Sequence, residues 1–261
     1  MPKFAANLSM LFNEVSFLDR FGAAAECGFK AVEFLFPYEF PAEAIAEQLD
    51  KHKLQIVLFN MPPGNWAAGE RGTACIPGRE GEFRMAIEQA FTYATALGIP
   101  RLHTMAGIAP AGVDRAACRA TLIENLKYAG ERLAPHQITV MLEAINPRDI
   151  PGFFVNRQAE SYEICRAVDA PNVRMQMDLY HMQVMEGDIA TTLKKHLKRI
   201  AHVQLADNPG RNEPGTGEIN YPFLFKYLDE IGYRGWIGCE YKPKTTTLEG
   251  LGWYAAETVD A

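Results

Sequence analysis

Four short apolar segments, each with a polar side chain at or beside its C-terminal end, organise this chain: Ile138-Thr-Val-Met-Leu-Glu143, Val173-Arg-Met-Gln-Met-Asp178, Ala201-His-Val-Gln-Leu205 and Trp236-Ile-Gly-Cys-Glu240. Intervals of 35, 26 and 36 residues separate their polar residues, which are Glu143, Asp178, Gln204 and Glu240. Each interval is about the length of one strand–helix–strand unit, in which a helix carries the chain back to start the next parallel strand. We therefore predict that the four side chains meet at one edge of a parallel sheet.

The same alternation of strand-like and helix-like stretches runs through the whole sequence. Short apolar runs lie at 4–8, 30–36, 54–60, 100–106, 138–143, 173–178, 199–205 and 235–240. Longer amphipathic stretches lie at 16–27, 41–52, 79–97, 114–134, 156–168, 188–197, 220–231 and 247–257. Eight strand–helix pairs in 261 residues are typical of a (β/α)₈ TIM barrel. The sequence predicts one such domain over residues 1–261.

A doubly wound open sheet is the competing architecture. That fold usually carries a glycine-rich phosphate-binding turn after its first strand. The corresponding segment here, Asn7-Leu-Ser-Met-Leu-Phe12, contains no glycine. The barrel is therefore favoured. It also predicts where the function lies, because the active sites of TIM barrels are built at the C-terminal ends of the strands.

The composition of the chain indicates which class of molecule it binds. The chain is 48% hydrophobic and 22% charged, as in ordinary globular proteins, and its net charge is −6. An acidic chain without a basic block binds nucleic acid phosphates poorly, so we expect a small-molecule substrate and no nucleic acid partner. Nothing in the sequence indicates an oligomeric state.

The sequence shows no signal for export or membrane insertion. No apolar run reaches 18 residues, which predicts that no segment spans a membrane. The first residues, Met1-Pro-Lys-Phe-Ala-Ala-Asn7, lack the pattern of a signal peptide. Five scattered cysteines without a CxxC pair argue against disulfides and against a cysteine zinc site, and they fit a reducing compartment. We expect a cytoplasmic protein.

The strand-end carboxylates predict a metal-binding acid/base site. Three converging negative charges repel one another unless a cation or shared protons neutralise them. Oxygen ligands suit Mg²⁺ or Mn²⁺, so we predict one divalent ion between Glu143, Asp178, Gln204 and Glu240. Glu143 and Glu240 are the predicted catalytic pair, since two carboxyl groups can remove a proton from one carbon and return it to the next. Either Glu alone is equally well explained as a helix cap or an ion-pair partner.

Two histidines lie close to these strand ends in the sequence. His181 follows Asp178 by three residues, so we expect it to face the same pocket and bind a substrate oxygen or a metal ion. A buried histidine bonded to a backbone carbonyl is the alternative. His202 points the same way as Gln204 but one layer deeper, which favours a supporting role. For the remaining four histidines, His103 among them, a core or surface position is expected.

Basic residues on the predicted rim loops indicate an acidic substrate. The long irregular segments 61–78 and 206–219 both follow strands and carry Arg71 and Arg211, while Lys242 comes just after the last strand. A guanidinium group forks onto a carboxylate, so these three residues are our candidates for the substrate carboxylate. Arg79 shares this placement, and Trp66 and Tyr241 are candidate pocket walls.

Several stretches of the sequence resemble the hydroxypyruvate isomerase family. The resemblance covers residues 4 to about 253 and rests on Phe4-Ala-Ala-Asn-Leu-Ser-Met-Leu-Phe12, Val32-Glu-Phe-Leu-Phe-Pro-Tyr38, Gly64-Asn-Trp-Ala-Ala-Gly-Glu-Arg-Gly72, Ala74-Cys-Ile-Pro-Gly-Arg-Glu80, Ala206-Asp-Asn-Pro-Gly-Arg211, Gly215-Thr-Gly-Glu-Ile-Asn-Tyr221 and Gly238-Cys-Glu-Tyr-Lys-Pro243. The wider group is the xylose isomerase-like TIM barrels. Its core pattern of a Glu, an Asp with a following His, a His or Gln, and a final Glu matches Glu143, Asp178 with His181, Gln204 and Glu240.

This resemblance implies an isomerase that interconverts hydroxypyruvate and tartronate semialdehyde through an enediol. It also implies that Glu143 and Glu240 are the acid/base pair. Epimerase relatives carry a His where this chain has Gln204, and an amide oxygen is a weaker ligand than an imidazole. A site without metal would need its carboxyl groups partly protonated instead.

Four alternatives remain open at this point. The nearest is the same chemistry on a four-carbon 2-oxo acid, a 2-oxo-tetronate isomerase, because the motifs do not show the length of the pocket. A sugar epimerase and a DNA-repair AP endonuclease are more distant, and the latter would need a histidine-rich zinc cluster and a basic groove. A binding protein for sugar acids is the non-enzymatic alternative.

Overall fold

The computed structural model describes residues 2–258 and contains a closed barrel of eight parallel strands in the order β1 to β8. The strands are β1 Lys3–Asn7, β2 Ala31–Phe34, β3 Gln55–Asn60, β4 Arg101–Thr104, β5 Thr139–Glu143, β6 Val173–Asp178, β7 Ile200–Leu205 and β8 Trp236–Cys239. Every strand pairs in parallel with its neighbours, and β1 pairs with β8 to close the barrel. The predicted TIM barrel is therefore confirmed, and the open sheet is excluded.

Helices surround the barrel. Within residues 2–258 they are α1 Asp19–Glu26, α2 Ala42–His52, α3 Glu80–Leu97, α4 Arg115–Leu133, α5 Gln158–Val168, α6 Leu179–Met185, α7 Ile189–His196, α8 Tyr221–Glu230 and α9 Gly252–Thr258. Their apolar faces pack on the outward-facing strand residues to form the main core. All but one of these helices lie where the amphipathic pattern predicts them.

The exception is α6, which the sequence pattern did not reveal. It begins directly after Asp178, the last residue of β6, with no connecting loop. The Asp178 carboxylate caps it by accepting a hydrogen bond of 2.8 Å from the backbone N–H of Tyr180. Because one aspartate both ends a strand and caps a helix, His181 lies in the first turn of α6, at the mouth of the barrel.

The barrel interior changes from apolar to polar along its axis. A small apolar cluster of Ala5, Ala31, Val57, Leu58 and Met141 fills the lower part. Above it, carboxyl, amide and imidazole side chains that are almost fully buried take the place of the branched aliphatic layers usual in TIM barrels: Glu33, His103, Glu143, Gln176, Asp178, His202, Gln204 and Glu240. Burying so many polar groups costs stability, which points to a site at the C-terminal mouth.

Two further predictions concern cysteines and membranes. All five cysteines are free thiols, in agreement with the absence of a disulfide framework. In the described part of the chain, no helix is both long and apolar enough to cross a bilayer.

Candidate active site

A cavity of about 460 Å³ opens at the C-terminal mouth of the barrel. Its lining comes from the strand ends and from the loops that follow them, and it combines acidic, basic and aromatic groups. The lining includes Trp66, Arg71, His103, Glu143, Arg148, Asp149, Tyr180, His181, Arg211, Glu240 and Lys242. The structure therefore brings both predicted catalytic glutamates to one cavity, together with Arg71, Arg211 and Lys242.

Glu143 and Glu240 both line this cavity and are almost fully buried. Glu143 is the last residue of β5, and its Oε2 accepts a hydrogen bond of 3.2 Å from Gln176 Nε2. Glu240 directly follows β8; its Oε1 pairs with Arg211 at 2.8 Å, and its Oε2 accepts from Gln204 Nε2. One glutamate thus lies next to a cation, and the other does not.

A chain of two amides joins the glutamates. Gln204 Oε1 accepts a hydrogen bond of 2.6 Å from Gln176 Nε2, the same nitrogen that donates to Glu143. Gln204 Nε2 donates to Glu240 and, at 2.8 Å, to Glu33 Oε1. In this orientation the Gln204 carbonyl oxygen faces Gln176 and its nitrogen donates to two carboxyl groups, while the role of Gln204 as a metal ligand stays a prediction.

His181 faces Glu143 and Asp178 across the cavity floor. Its Nε2 lies 3.8 Å from Glu143 Oε1 and 3.7 Å from Asp178 Oδ2. On the other side of the ring, Nδ1 is 2.6 Å from Asn146 Nδ2, while Asn146 Oδ1 accepts from the Asp149 backbone at 2.8 Å. An amide whose oxygen is already used offers its N–H to Nδ1, so the neutral ring carries its proton on Nε2.

Two carboxylate oxygens in the site have no hydrogen-bond partner among the described residues, Glu143 Oε1 and Asp178 Oδ2. Together with a ring nitrogen of His181, oxygens of these two residues form a group whose atoms lie within 4.8 Å of one another. Buried carboxylate oxygens without donors are costly, so the geometry leaves room for a cation or a substrate group between them.

Burial raises the pKa of three carboxyl groups in the site, those of Glu143, Glu240 and Asp178. Desolvation, reinforced by the nearby Glu240 and Asp178, raises the pKa of Glu143 well above its usual range. Burial raises the pKa of Glu240 to about 8 even though Arg211 opposes the shift. Burial likewise raises the pKa of Asp178 to about 6 against the effect of Arg211. Burial lowers the pKa of His181 well below its usual range, so its imidazole is neutral.

These shifts predict an unusual pH dependence of stability. The pKa of Glu240 rises from 4.5 to about 8 on folding, so between these pH values the folded state binds more protons than the unfolded state. The free energy of unfolding contributed by this group therefore falls as pH rises from about 4.5 to about 8. In EDTA, we expect urea denaturation to show a smaller loss of stability between pH 5 and pH 8 for Glu240→Gln than for the unaltered protein. Equal losses in the two proteins would contradict this assignment.

Arg211 is the cation nearest the acid/base pair. It lies 2.8 Å from Glu240 Oε1, 2.9 Å from Asp149 Oδ2 and 3.8 Å from Asp178 Oδ2, and its side chain is 14% exposed. Although burial lowers it, these carboxylates raise the pKa of Arg211 above its ordinary value. Arg211 thus shares its charge among three carboxyl groups of the site, which favours a neutralising role over the predicted contact with a substrate carboxylate.

The loop that presents Arg211 is organised by Asp207. The Asp207 carboxylate accepts hydrogen bonds of 2.9 to 3.0 Å from four backbone N–H groups, those of Asn208, Gly215, Gly217 and Ile219. The Lys242 backbone N–H donates to the Arg211 carbonyl at 2.8 Å, which ties the loop to the segment after β8. These hydrogen bonds order the segment 206–219, which is therefore not the simple flexible turn that its glycines and prolines would allow.

The other long loop, 61–78, holds Arg71 over the cavity. The Arg71 guanidinium stacks 3.7 Å from the Trp66 ring, and its Nη1 donates to the carbonyls of Trp66 and Glu70 at 3.1 and 2.7 Å. Arg79, a further rim candidate, lies outside the cavity lining and pairs with Glu70 to hold the loop. Gly72 lies so close to the Met105 carbonyl that a Cβ there would collide with it.

Two further predicted residues lie in different surroundings. Lys242 lines the cavity, and its ammonium group has no protein partner among residues 2–258. Tyr241 is buried in the core, where its hydroxyl accepts from Trp253 Nε1 at 3.3 Å, so it does not wall the pocket as predicted.

The sequence reasoning missed four residues of the site. His103 lies on β4, and its Nε2 is 3.5 Å from Glu143 Oε2. Burial, and to a smaller extent the nearby His202, lowers the pKa of His103 to about 3. Arg148 lines the cavity and donates to Tyr180 Oη at 3.2 Å. Glu33 and Gln176 lie inside the barrel. The lone charge in Val32-Glu33-Phe34, and the position of Gln176 two residues before Asp178, were signals that pointed inward.

Comparison with known proteins agrees with this architecture. A family model described as xylose isomerase-like TIM barrel matches residues 21–257. The chain belongs to that family. It is 54% identical over 253 residues to a 2-oxo-tetronate isomerase of Cupriavidus necator, covering 97% of both chains. It is 49% identical to hydroxypyruvate isomerase of Escherichia coli, covering 97% of this chain and 98% of that protein.

A solved structure is equally similar. A crystal structure described as AP endonuclease, family 2, from Brucella melitensis is 54% identical, with a TM-score of 0.96 and coverage of 98% of this chain and 99% of that one. The family and the isomerase class predicted from the sequence are confirmed by the relatives in these comparisons.

Proposed function

We propose that this enzyme interconverts hydroxypyruvate and tartronate semialdehyde by moving a proton between adjacent carbons. The observation that carries the proposal is the placement of Glu143 and Glu240 in one cavity, where two amides join them and burial raises the pKa of both. Relatives at 54% and 49% identity bear the names of 2-oxo-tetronate isomerase and hydroxypyruvate isomerase, which supports a short 2-oxo acid as substrate.

The reaction needs one proton to leave carbon 3 and one to arrive at carbon 2. A carboxylate of the pair removes the carbon-3 proton from hydroxypyruvate, and the carbonyl oxygen on carbon 2 takes up a proton, which gives the enediol. The enediol then accepts a proton on carbon 2 from the pair while the oxygen on carbon 3 loses its proton and becomes the aldehyde. Carboxyl groups with raised pKa values suit both halves, because each group has to alternate between the two protonation states near neutral pH.

The neutral histidines can donate hydrogen bonds to the substrate without removing its carbon-bound proton. His181 presents Nε2–H to the space beside Glu143, where it would donate a hydrogen bond to the substrate carbonyl oxygen. The imidazole of His103 is also held neutral by burial, and it lies near the other carboxyl oxygen of Glu143. A neutral imidazole polarises a carbonyl and leaves proton removal to the carboxylates.

We also propose a divalent cation, Mg²⁺ or Mn²⁺, in this site. The two carboxylate oxygens without partners, Glu143 Oε1 and Asp178 Oδ2, fit it, because such ions often bind through one or two carboxylates and keep several waters. Glu143 and Asp178 would hold the ion, with Glu240 nearby. When bound, it would supply positive charge that favours the enediolate over the keto acid.

Binding of the ion can be tested without activity. At pH 8, Mn²⁺ at a hundred times its dissociation constant is expected to stabilise the folded protein by about 2.7 kcal/mol, seen as a rise in Tm. Asp178→Asn should remove most of that rise, because it removes one of the two free oxygens. A Tm that Mn²⁺ does not change, together with full activity in EDTA, would contradict a metal site.

The substrate carboxylate has two partners in this proposal, Lys242 and Arg71. Both line the cavity. The Lys242 ammonium group has no protein partner within residues 2–258, whereas Arg71 Nη1 already donates to two backbone carbonyls. Lys242→Ala is expected to raise KM by about 10- to 100-fold, the effect of losing a charged hydrogen bond, with little change in kcat. Lys244→Ala is the matched control, because Lys244 is exposed and does not line the cavity. If KM is unchanged in Lys242→Ala but rises in Arg71→Ala, Arg71 alone holds the carboxylate.

A four-carbon 2-oxo acid is the second candidate substrate. The 54% identical relative carries that name, and a cavity of about 460 Å³ is larger than a three-carbon acid needs. Comparing kcat/KM for hydroxypyruvate and for a 2-oxo-tetronate tests the choice, and we expect turnover of hydroxypyruvate. Turnover of the four-carbon acid alone would reassign the substrate and keep the chemistry.

An endonuclease is less well supported by this site. The name of the Brucella structure describes that protein, and a DNA enzyme needs positive charge to bind phosphates. This chain carries a net charge of −6, and among the described residues the candidate metal ligands form a single group with one histidine.

A further inference from the structure

Glu33 is a buried carboxylate that the proposed reaction does not use directly. It lies on β2 inside the barrel, is fully buried and does not line the cavity. Three side chains converge on it, one from the neighbouring strand β1 and two from β7. Asn7 Nδ2 lies at 3.0 Å, Gln204 Nε2 at 2.8 Å and His202 Nε2 at 2.6 Å.

The barrel makes room for this carboxylate at one particular glycine. A Cβ added at Gly238 on β8 would collide with both carboxylate oxygens of Glu33. Gly238 is not in the left-handed region of backbone conformation, so its backbone does not itself require glycine. The missing side chain at Gly238 therefore serves to accommodate Glu33.

We propose that Glu33 is a positioning residue that fixes the side-chain amide of Gln204, and through it the amide of Gln176, so that each catalytic glutamate receives one N–H donor. The kinetic part of this inference rests on the proposed isomerisation. The structural part does not, because it concerns only the orientation of two amides.

The donors and acceptors around Glu33 fix the orientation of the Gln204 amide. Glu33 Oε1 accepts from two amide N–H groups, those of Asn7 and Gln204, so this oxygen requires the Gln204 nitrogen, not the Gln204 oxygen, on its side. Glu240 alone does not impose this orientation, because as an acid/base group it carries a proton for part of the cycle and can then donate to an oxygen. Glu33, away from the cavity, keeps Gln204 turned one way throughout.

The orientation of Gln204 then determines that of Gln176. With Gln204 Nε2 occupied by Glu33 and Glu240, Gln204 Oε1 is the acceptor for Gln176 Nε2 at 2.6 Å. The second proton of Gln176 Nε2 reaches Glu143 Oε2 at 3.2 Å. One carboxylate outside the cavity thus sets the donors at both proton-transfer groups, and it also turns the Gln204 oxygen away from any metal ion.

The test uses Glu33→Gln, which keeps the shape but offers both a donor and an acceptor to Gln204. Loss of a supporting hydrogen bond of this kind lowers activity by about 10- to 100-fold. We expect that loss in kcat with KM nearly unchanged, and a larger primary deuterium isotope effect with substrate deuterated at carbon 3. Asn7→Ala is the matched control, since it removes a hydrogen bond to Glu33 but none to Gln204, and it should keep both kcat and the isotope effect.

A second readout needs no turnover. In protein with ¹⁵N-labelled glutamine side chains, the Gln204 amide signals are identified by their absence in Gln204→Glu. We expect them to shift and to exchange with solvent faster in Glu33→Gln. Should that variant not fold, Gly238→Ala displaces the same carboxylate and should give the same changes.

Two results would overturn the inference. One is unchanged Gln204 amide signals in Glu33→Gln or Gly238→Ala. The other is a kcat and an isotope effect that equal those of the unaltered protein. If the unaltered protein converts neither acid, the proposed function fails, and the amide signals alone then decide the role of Glu33.

Discussion

Glu143→Gln and Glu240→Gln are each expected to lower kcat by about 10²- to 10⁴-fold, the usual effect of losing a general acid or base. The substitution keeps the size of the side chain and removes only its ability to exchange a proton. Each position already has a donor beside it, Gln176 for Glu143 and Gln204 for Glu240, so an amide oxygen at either position can still accept. The variants should therefore fold, which circular dichroism and Tm will check.

The two losses should not add. If the glutamates act as one proton-transfer pair, the double variant will be about as inactive as the worse single variant. Glu131→Gln, the same substitution at an exposed position of α4, is a control for the loss of charge alone. A variant that keeps activity within about tenfold of the unaltered enzyme would show that its residue is not part of the pair.

Arg211→Ala is expected to lower the free energy of unfolding by about 3–5 kcal/mol at pH 8, because it leaves buried carboxylates without their cation. The loss should be smaller at pH 5. Burial already raises the pKa of Glu240 to about 8 and that of Asp178 to about 6, so both groups take up protons at the lower pH and no longer need Arg211. Urea denaturation at the two pH values measures the difference.

Arg132→Ala gives the matched comparison. Arg132 forms a two-point ion pair with Glu88 at 2.7 and 2.8 Å on the helix surface, where such pairs contribute about 0–1 kcal/mol. We expect a small loss that does not change between pH 5 and pH 8. If Arg211→Ala loses no more stability than Arg132→Ala, Arg211 does not neutralise the site, and its place as a direct substrate ligand would have to be considered again.

Most of the fold follows from patterns that are local in the sequence. The predicted strand 173–178 and the observed β6 have the same bounds, because alternating apolar residues end at a charged one. Helix α6 escaped prediction because Asp178 ends the strand and caps the helix at once, which leaves no turn residues between the two.

The site was predictable in part for the same reason. Glu143, Asp178, Gln204 and Glu240 mark strand ends, and the spacing of parallel strands brings strand ends together. The sequence did not predict that Glu33 and His103 belong to the site, because their contacts are with residues far away in the chain. His202, for example, contacts Glu33 and is 169 residues from it. The direction in which the Gln204 amide points is set by its neighbours across the barrel and not by any local pattern.

The most direct test of the account is the conversion of hydroxypyruvate in D₂O, followed by ¹H and ²H NMR. If the two glutamates move a proton through an enediol, their exchangeable protons equilibrate with solvent, and the tartronate semialdehyde formed will carry deuterium on carbon 2. Glu143→Gln and Glu240→Gln should lose this labelling together with turnover. Conversion in which the original hydrogen moves from carbon 3 to carbon 2 with no solvent deuterium would contradict proton transfer by the glutamate pair, and so would full labelling in either variant.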